Sequence, residues 1–379
     1  MDSVFICLFA LIITYIAGRR SLVTGLGVLL TFGYAYGIVR ANLQESGAHF
    51  IFDAAVAGLF LAQLPNYWNP AEKRRTKQLR RWLFFLIGWP VLLFFIPIQD
   101  PLVELVGLRG NIFFLPFLLL GARLSEDDLY RLALWLSVLN IGAFGFAVAE
   151  YFLGIEMFFP YREGVTTLIY MSGDVTEMRA FRIPATFSNA HAYAGVMVAT
   201  IPFIAGAWVQ KHDRLLYSYL FPLALVASAI GVFMAAARTP VIFLFVLLTI
   251  ITLSRKVKIL ARVGWVVLLV GVAWLVSNEQ RMQRFITLQD TGFVVQRFGW
   301  SMNQNFNDLI VRYPMGNGLG GGGTSLPYFL QNRVKNLPLM ENEYARLLLE
   351  QGVPGLCLWI TFLIWVFFRR PATGRSNWS

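Results

Sequence analysis

Residues 73–98 read Lys73-Arg-Arg-Thr-Lys-Gln-Leu-Arg-Arg-Trp-Leu-Phe-Phe-Leu-Ile-Gly-Trp-Pro-Val-Leu-Leu-Phe-Phe-Ile-Pro-Ile98. Six of the first nine residues are basic, and none of the next seventeen is charged. An apolar run of roughly 17 to 25 residues spans the ~30 Å of hydrocarbon in a bilayer. A basic block beside such a run marks the side held in the cytoplasm. Runs of the same kind recur near 3–17, 21–39, 50–65, 103–121, 130–153, 192–209, 215–236, 239–253, 259–276 and 353–368. With 82–98 they predict an all-α polytopic membrane protein of about eleven (10–12) transmembrane helices, a single integral membrane domain over residues 1–379.

Composition points the same way. Hydrophobic residues make up 57% of the chain, charged residues 14%, and mean hydropathy is +0.60. Soluble domains carry about 25% charged residues, so a soluble globular protein is excluded, and no nucleic-acid partner is expected. The run 3–17 has no basic residue before it, and Arg19 and Arg20 follow it. It therefore reads as a retained span rather than a signal peptide. Cys7 and Cys357 fall within predicted spans, which leaves no disulfide scaffold or cysteine metal site. Three scattered histidines, His49, His191 and His212, give no metal site either.

Charge sets the orientation. Arg19, Arg20, the block 73–81, Arg123, Arg131, Lys211, Arg214, Arg255, Lys256, Lys258, Arg262 and the tail's Arg369, Arg370 and Arg375 place nineteen basic residues on one side. That side is the cytoplasm, so the C-terminus is cytoplasmic and the N-terminus external. Of the thirteen remaining basic residues, twelve are arginine and only Lys335 is lysine. A guanidinium binds phosphate through two parallel hydrogen bonds, whereas an ammonium is a mobile point charge. On the translocated side, where positive charge is normally avoided, these arginines suggest an anionic substrate. Taken singly, each could instead be a surface or anchoring residue.

Two long segments face outward in this topology, 154–190 and 277–351, both with short interfacial helices. Loops of such length are functional or disordered, and Phe285, Phe293, Phe298, Trp300, Phe306 and Tyr313 argue against disorder in the second. Pro314-Met-Gly-Asn-Gly-Leu-Gly-Gly-Gly-Gly323 is not a phosphate-binding P-loop, because no Lys-Ser/Thr pair follows it. Its glycines allow close approach of a substrate or a neighbouring segment, or form a mobile turn. Beyond it, 341–351 reads as an amphipathic helix with Glu343, Arg346 and Glu350 on one face, ended by Gly352-Val-Pro-Gly355. Asp53 and Glu150 lie at or near hydrocarbon depth, where ionisable residues are functional candidates. His191, at the start of a span, reads as a headgroup contact or helix cap.

Four stretches, in order, resemble the O-antigen ligase and O-antigen polymerase superfamily over roughly residues 100–368. Arg182-Ile-Pro-Ala-Thr-Phe-Ser-Asn-Ala-His-Ala-Tyr-Ala194 is similar to that family's arginine, Gly-Thr-Phe and Asn segment before a membrane helix, with Ala185 where glycine is usual. Ala235-Ala-Ala-Arg-Thr-Pro240 resembles its Ser-Arg-Gly helix start. Arg297-Phe-Gly-Trp300 with Tyr313-Pro-Met-Gly-Asn-Gly-Leu-Gly320 resembles its arginine–tryptophan and glycine segment. Glu341-Asn-Glu-Tyr-Ala-Arg-Leu-Leu-Leu-Glu-Gln-Gly-Val-Pro-Gly355 resembles a motif that opens with histidine in the ligases, a place taken here by Glu341.

The resemblance implies a membrane glycosyltransferase of the bacterial cytoplasmic membrane, working at its outer face. A polyprenyl-pyrophosphate-linked glycan is the donor and a glycan or lipid-glycan the acceptor, with no nucleotide, metal or other cofactor. Arg238 and Arg297 are then expected on the pyrophosphate, Arg182 as a supporting contact, and Glu341 as the base or acceptor-orienting residue. Arg238 could alternatively anchor a helix end, and Glu341 could favour a helix N-terminus by its charge. Ligase and polymerase remain open. A secondary transporter or flippase for an anionic lipid-linked glycan is the alternative, although no internal repeat of the kind transporters carry is visible.

Overall fold

A computed structural model of the protein describes residues 2–43, 45–64, 70–162, 165–171, 181–209, 215–253, 306–322, 332–335 and 342–369, with isolated positions between 262 and 330. Every regular element among these residues is helical. Among the described residues six helices are long and apolar enough to cross a membrane: Asp2–Arg20, Leu22–Asn42, Pro101–Gly121, Glu126–Leu153, Ala190–Val209 and Glu343–Phe368. Shorter apolar helices cover Gly47–Gln63, Tyr219–Met234 and Arg238–Ile250. The expected span 103–121 is interrupted: helix Pro101–Ile112 ends, turns follow, and Phe117–Gly121 resumes. Most of 259–276 lies outside the described residues.

Local sequence explains where helices begin. The Ser125 hydroxyl accepts from Asp128 N–H at 3.2 Å while the Asp128 carboxyl accepts from Ser125 N–H at 3.0 Å, a capping box that starts Glu126–Leu153. Asp100 accepts from Leu102 N–H at 2.9 Å with Pro101 in the first turn. Asn342 accepts from Tyr344 N–H at 2.9 Å and starts Glu343–Phe368.

The chain divides into two compact units, one of residues 1–67, 124–289 and 375–379, the other of 68–123 and 290–374. In the first, α1 (Asp2–Arg20), α2 (Leu22–Asn42) and α3 (Ile51–Gln63) pack together, and α3 is tied to α1 by Gln63 Nε2 donating to Gly18 O at 2.8 Å. The centre is Asn140, fully buried on Glu126–Leu153. Its Oδ1 accepts from Tyr34 Oη at 2.5 Å, and its Nδ2 donates to Thr200 Oγ1 at 2.8 Å and Ser228 Oγ at 2.7 Å. One amide thus joins four helices, with both amide protons and the carbonyl satisfied, as a buried polar group requires. The apolar core around it includes Tyr193, Met197, Ile201, Phe221 and Leu244.

In the second unit, Gln99 is the corresponding tie. Its Nε2 donates to Asn317 O at 2.7 Å and its Oε1 accepts from Lys335 N–H at 2.9 Å, while Glu104 Oε1 accepts from the Ile98 and Gln99 amides at 2.9 Å each. The glycine-rich segment packs against the break in Glu343–Phe368. Gly352 has φ of 69°, and a Cβ there would lie 2.5 Å from Pro314 O. Val353 N–H donates to Pro314 O at 2.8 Å and Asn317 N–H to Leu349 O at 2.5 Å. The glycines therefore admit a neighbouring helix, where the sequence reading offered a substrate, a neighbouring loop or a mobile turn.

Replacing Asn140 with leucine leaves Tyr34 Oη, Thr200 and Ser228 without their shared partner. Loss of about 1–3 kcal/mol is expected, the range for orphaned buried polar groups. Reversible unfolding of detergent-purified protein would measure it, and an Asn140→Leu variant as stable as wild type would show that the amide is dispensable.

Candidate functional site

The segment from Arg182 to Ala190 carries the first candidate residue into a turn clamped on three sides. Ile38 N–H donates to Thr186 O at 3.0 Å. Gly37 leaves room for the chain, since a Cβ there would lie 1.9 Å from the Phe187 carbonyl carbon. The Tyr34 and Phe187 rings meet edge to face with centroids 5.1 Å apart. Glu150 Oε2 accepts from Ala185 N–H at 2.9 Å.

Ala185 has φ of 49°, in the left-handed region. An L-residue there costs roughly 1–2 kcal/mol. Ala236 repeats the pattern with φ of 49°, two residues before Arg238. Each candidate arginine of this unit thus sits beside a strained turn, a feature that clusters at functional sites.

In the structure Arg238 lies within electrostatic reach of Arg182. Arg182 is partly buried, and burial, followed by the positive charge of Arg238, pushes its guanidinium pKa below the ordinary arginine value. Arg182 Nη1 lies 2.7 Å from His191 Nε2. A guanidinium has no acceptor, so His191 Nε2 accepts and the ring proton sits on Nδ1. The buried Nε of Arg182 has no hydrogen-bond partner among the described residues. A cavity of about 240 Å³ opens here, lined by Leu168, Ile169, Arg182, Pro184, Asn189, Ala190 and His191.

Asn189 Oδ1 accepts from Ala192 N–H at 2.8 Å and so caps Ala190–Val209, leaving His191 to face Arg182 rather than act as the cap. Arg238 opens Arg238–Leu253. Helix N-termini carry partial positive charge, so Asn189 and Arg238 each stand where an anion is favoured. Comparison with protein-family models, with curated proteins and with solved structures finds no match.

Arg297 and Glu341 lie outside the described residues. The neighbouring charged face resolves differently from the sequence expectation of an interfacial helix. Arg346 and Glu350 are buried, joined by Arg346 Nη1 to Glu350 Oε2 at 2.6 Å, and Arg346 also bonds both oxygens of Glu343. Asn111 Nδ2 donates to the same Glu350 oxygen at 2.8 Å, and Gln351 Nε2 to Asn111 Oδ1 at 2.8 Å. That network holds helices of the second unit together.

Segment 154–190 is ordered where it is described. The Tyr161 and Tyr170 rings stack 4.1 Å apart, Tyr170 Oη donates to Phe159 O, and Arg162 Nη1 donates to Asn42 O at 3.1 Å. Sequence reasoning named Arg182 and Arg238, but missed the His191 contact and the role of Glu150. The signal for His191 was its position nine residues after Arg182, which a turn can close but no helical or strand period indicates.

Ala185→Val places a β-branched side chain at positive φ in a fully buried position. It should cost at least about 2 kcal/mol, whereas Ala185→Gly should stay within about 1 kcal/mol of wild type, relief of strain offsetting a lost methyl. Thermal unfolding of the two variants separates them, and equal stability would remove the strain at this turn.

Proposed function

We propose that the protein is a membrane glycosyltransferase of the O-antigen ligase and polymerase kind. It acts at the outer face of the bacterial cytoplasmic membrane through about eleven spans with the basic block 73–81 inside. The observation that carries this reading is the Arg182 guanidinium, with its buried Nε unpartnered among the described residues, beside a cavity at the Asn189-capped helix N-terminus. Arg238, from a second motif, acts on Arg182 electrostatically, so an anion bound at Arg182 is favoured by both charges. A pyrophosphate carried by a polyprenyl lipid fits that chemistry.

In the reaction, an acceptor hydroxyl attacks the anomeric carbon of the donor glycan, and the bond from that carbon to the pyrophosphate oxygen breaks. Negative charge grows on the departing pyrophosphate, where Arg182 and Arg238 stabilise it most in the transition state. From the resemblance alone, Arg297 is assigned to binding pyrophosphate and Glu341 to accepting the acceptor proton or orienting the acceptor. The chemistry needs no cofactor, because the donor arrives activated by its lipid pyrophosphate.

Lysine keeps the charge of arginine and anchors a helix end equally well, but cannot make the bidentate contact. Arg238→Lys should therefore remain folded while transfer of a labelled lipid-linked glycan by purified protein falls about a hundredfold. Transfer at the wild-type rate would return Arg238 to an anchoring role.

Orientation has its own check. With Cys7 and Cys357 replaced by serine, a cysteine at position 333 should react with an impermeant thiol reagent in intact cells. One at position 77 should react only after lysis. The opposite pattern would place the site on the wrong side of the membrane for a lipid-linked donor.

A further inference from the structure

Glu150 is fully buried, three residues from the end of Glu126–Leu153. Placing an ionisable group there is costly, and such groups persist where they have a task. Its hydrogen bond among the described residues comes from the Ala185 amide, 2.9 Å from Oε2. That amide belongs to the left-handed residue between Arg182 and His191. The clamps at Ile38 and Tyr34 hold Thr186 and Phe187, and Asn189 fixes the helix start that carries His191. Phe187 N–H donates to Pro184 O at 3.1 Å and closes the turn from within, so the Glu150 bond is the restraint that reaches the Ala185 amide from another helix.

We propose that Glu150 is a positioning residue: its buried carboxyl group holds Ala185 in the left-handed turn and thereby brings the Arg182 guanidinium onto His191 at the cavity mouth. Without the tether, Ala185 relaxes toward negative φ. The peptide planes on both sides then rotate, and the Arg182 backbone swings away from the helix start that carries His191. Glu150 accepts from the Ala185 amide, three residues after Arg182, so it acts on the arginine through the backbone. The ligand part of this inference rests on the anion-site reading above; the positioning part does not.

The chain has three histidines, so ¹⁵N-histidine labelling gives few signals, and a His191→Gln sample assigns the relevant one. In wild type His191 should show the Nδ1–H tautomer imposed by Arg182. Glu150→Leu should lose that tautomer preference, while Glu150→Gln, whose amide oxygen can still accept from Ala185, should keep it. If Glu150→Leu does not fold, Glu150→Asp replaces it: the shorter side chain keeps the carboxyl group but not the reach, and should also lose the preference. Inorganic pyrophosphate titrated into the folded proteins should bind about tenfold more weakly to the tether-lacking variant than to wild type or Gln.

An unchanged His191 tautomer in folded Leu or Asp variants would overturn the proposal. If the tautomer responds as described but wild type binds no pyrophosphate, the positioning role stands and the anion-site reading falls.

Discussion

In hydrocarbon no solvent completes a hydrogen bond, so each buried polar group must find its partner within the chain. That constraint accounts for the all-helical architecture and for the form of its polar interior. Asn140 uses its amide protons and carbonyl on three other helices. Gln63 closes on a helix carbonyl, and Gln99 binds one backbone group on each side of its amide. These side chains fix which helical faces meet, a choice that apolar side chains of similar shape leave open. Glu150 belongs to the same class, but what it holds is a turn.

The arginines expected outside illustrate how context divides one residue type. Arg162 satisfies the carbonyl of Asn42 at a helix end, and Arg40 lies over the Tyr36 ring at 5.9 Å from its centroid. Arg333 approaches Asp100 at 3.8 Å, and Arg346 is enclosed by two carboxylates and Asn111. Each of these contacts stabilises the fold. Arg182 differs in kind, because its neighbours are an imidazole acceptor and a second cation beside a cavity.

The two left-handed alanines, Ala185 and Ala236, sit beside Arg182 and Arg238 respectively. Backbone strain of this kind survives only where surrounding contacts over-determine it. At Ala185 those contacts are the Glu150 carboxyl, the Ile38 amide and the space left by Gly37. The strained turn and the buried acid are thus one device, built from helices far apart in sequence.

Apolar run length and basic blocks were enough to predict spans near 3–17, 21–39, 130–153 and 192–209, where the structure has helices Asp2–Arg20, Leu22–Asn42, Glu126–Leu153 and Ala190–Val209, because both signals are local and repeat along the chain. The break at Gly352 was legible for the same reason, with glycine and proline marking it in the sequence. The inward turn of Arg346 and Glu350 was not, since helical periodicity identifies a face without saying what covers it. Nor could sequence show that Arg182 meets His191, or that Glu150 reaches Ala185 across 35 positions. Those pairings depend on close helix packing and on one left-handed turn, and such long-range geometry leaves no period in the sequence to read.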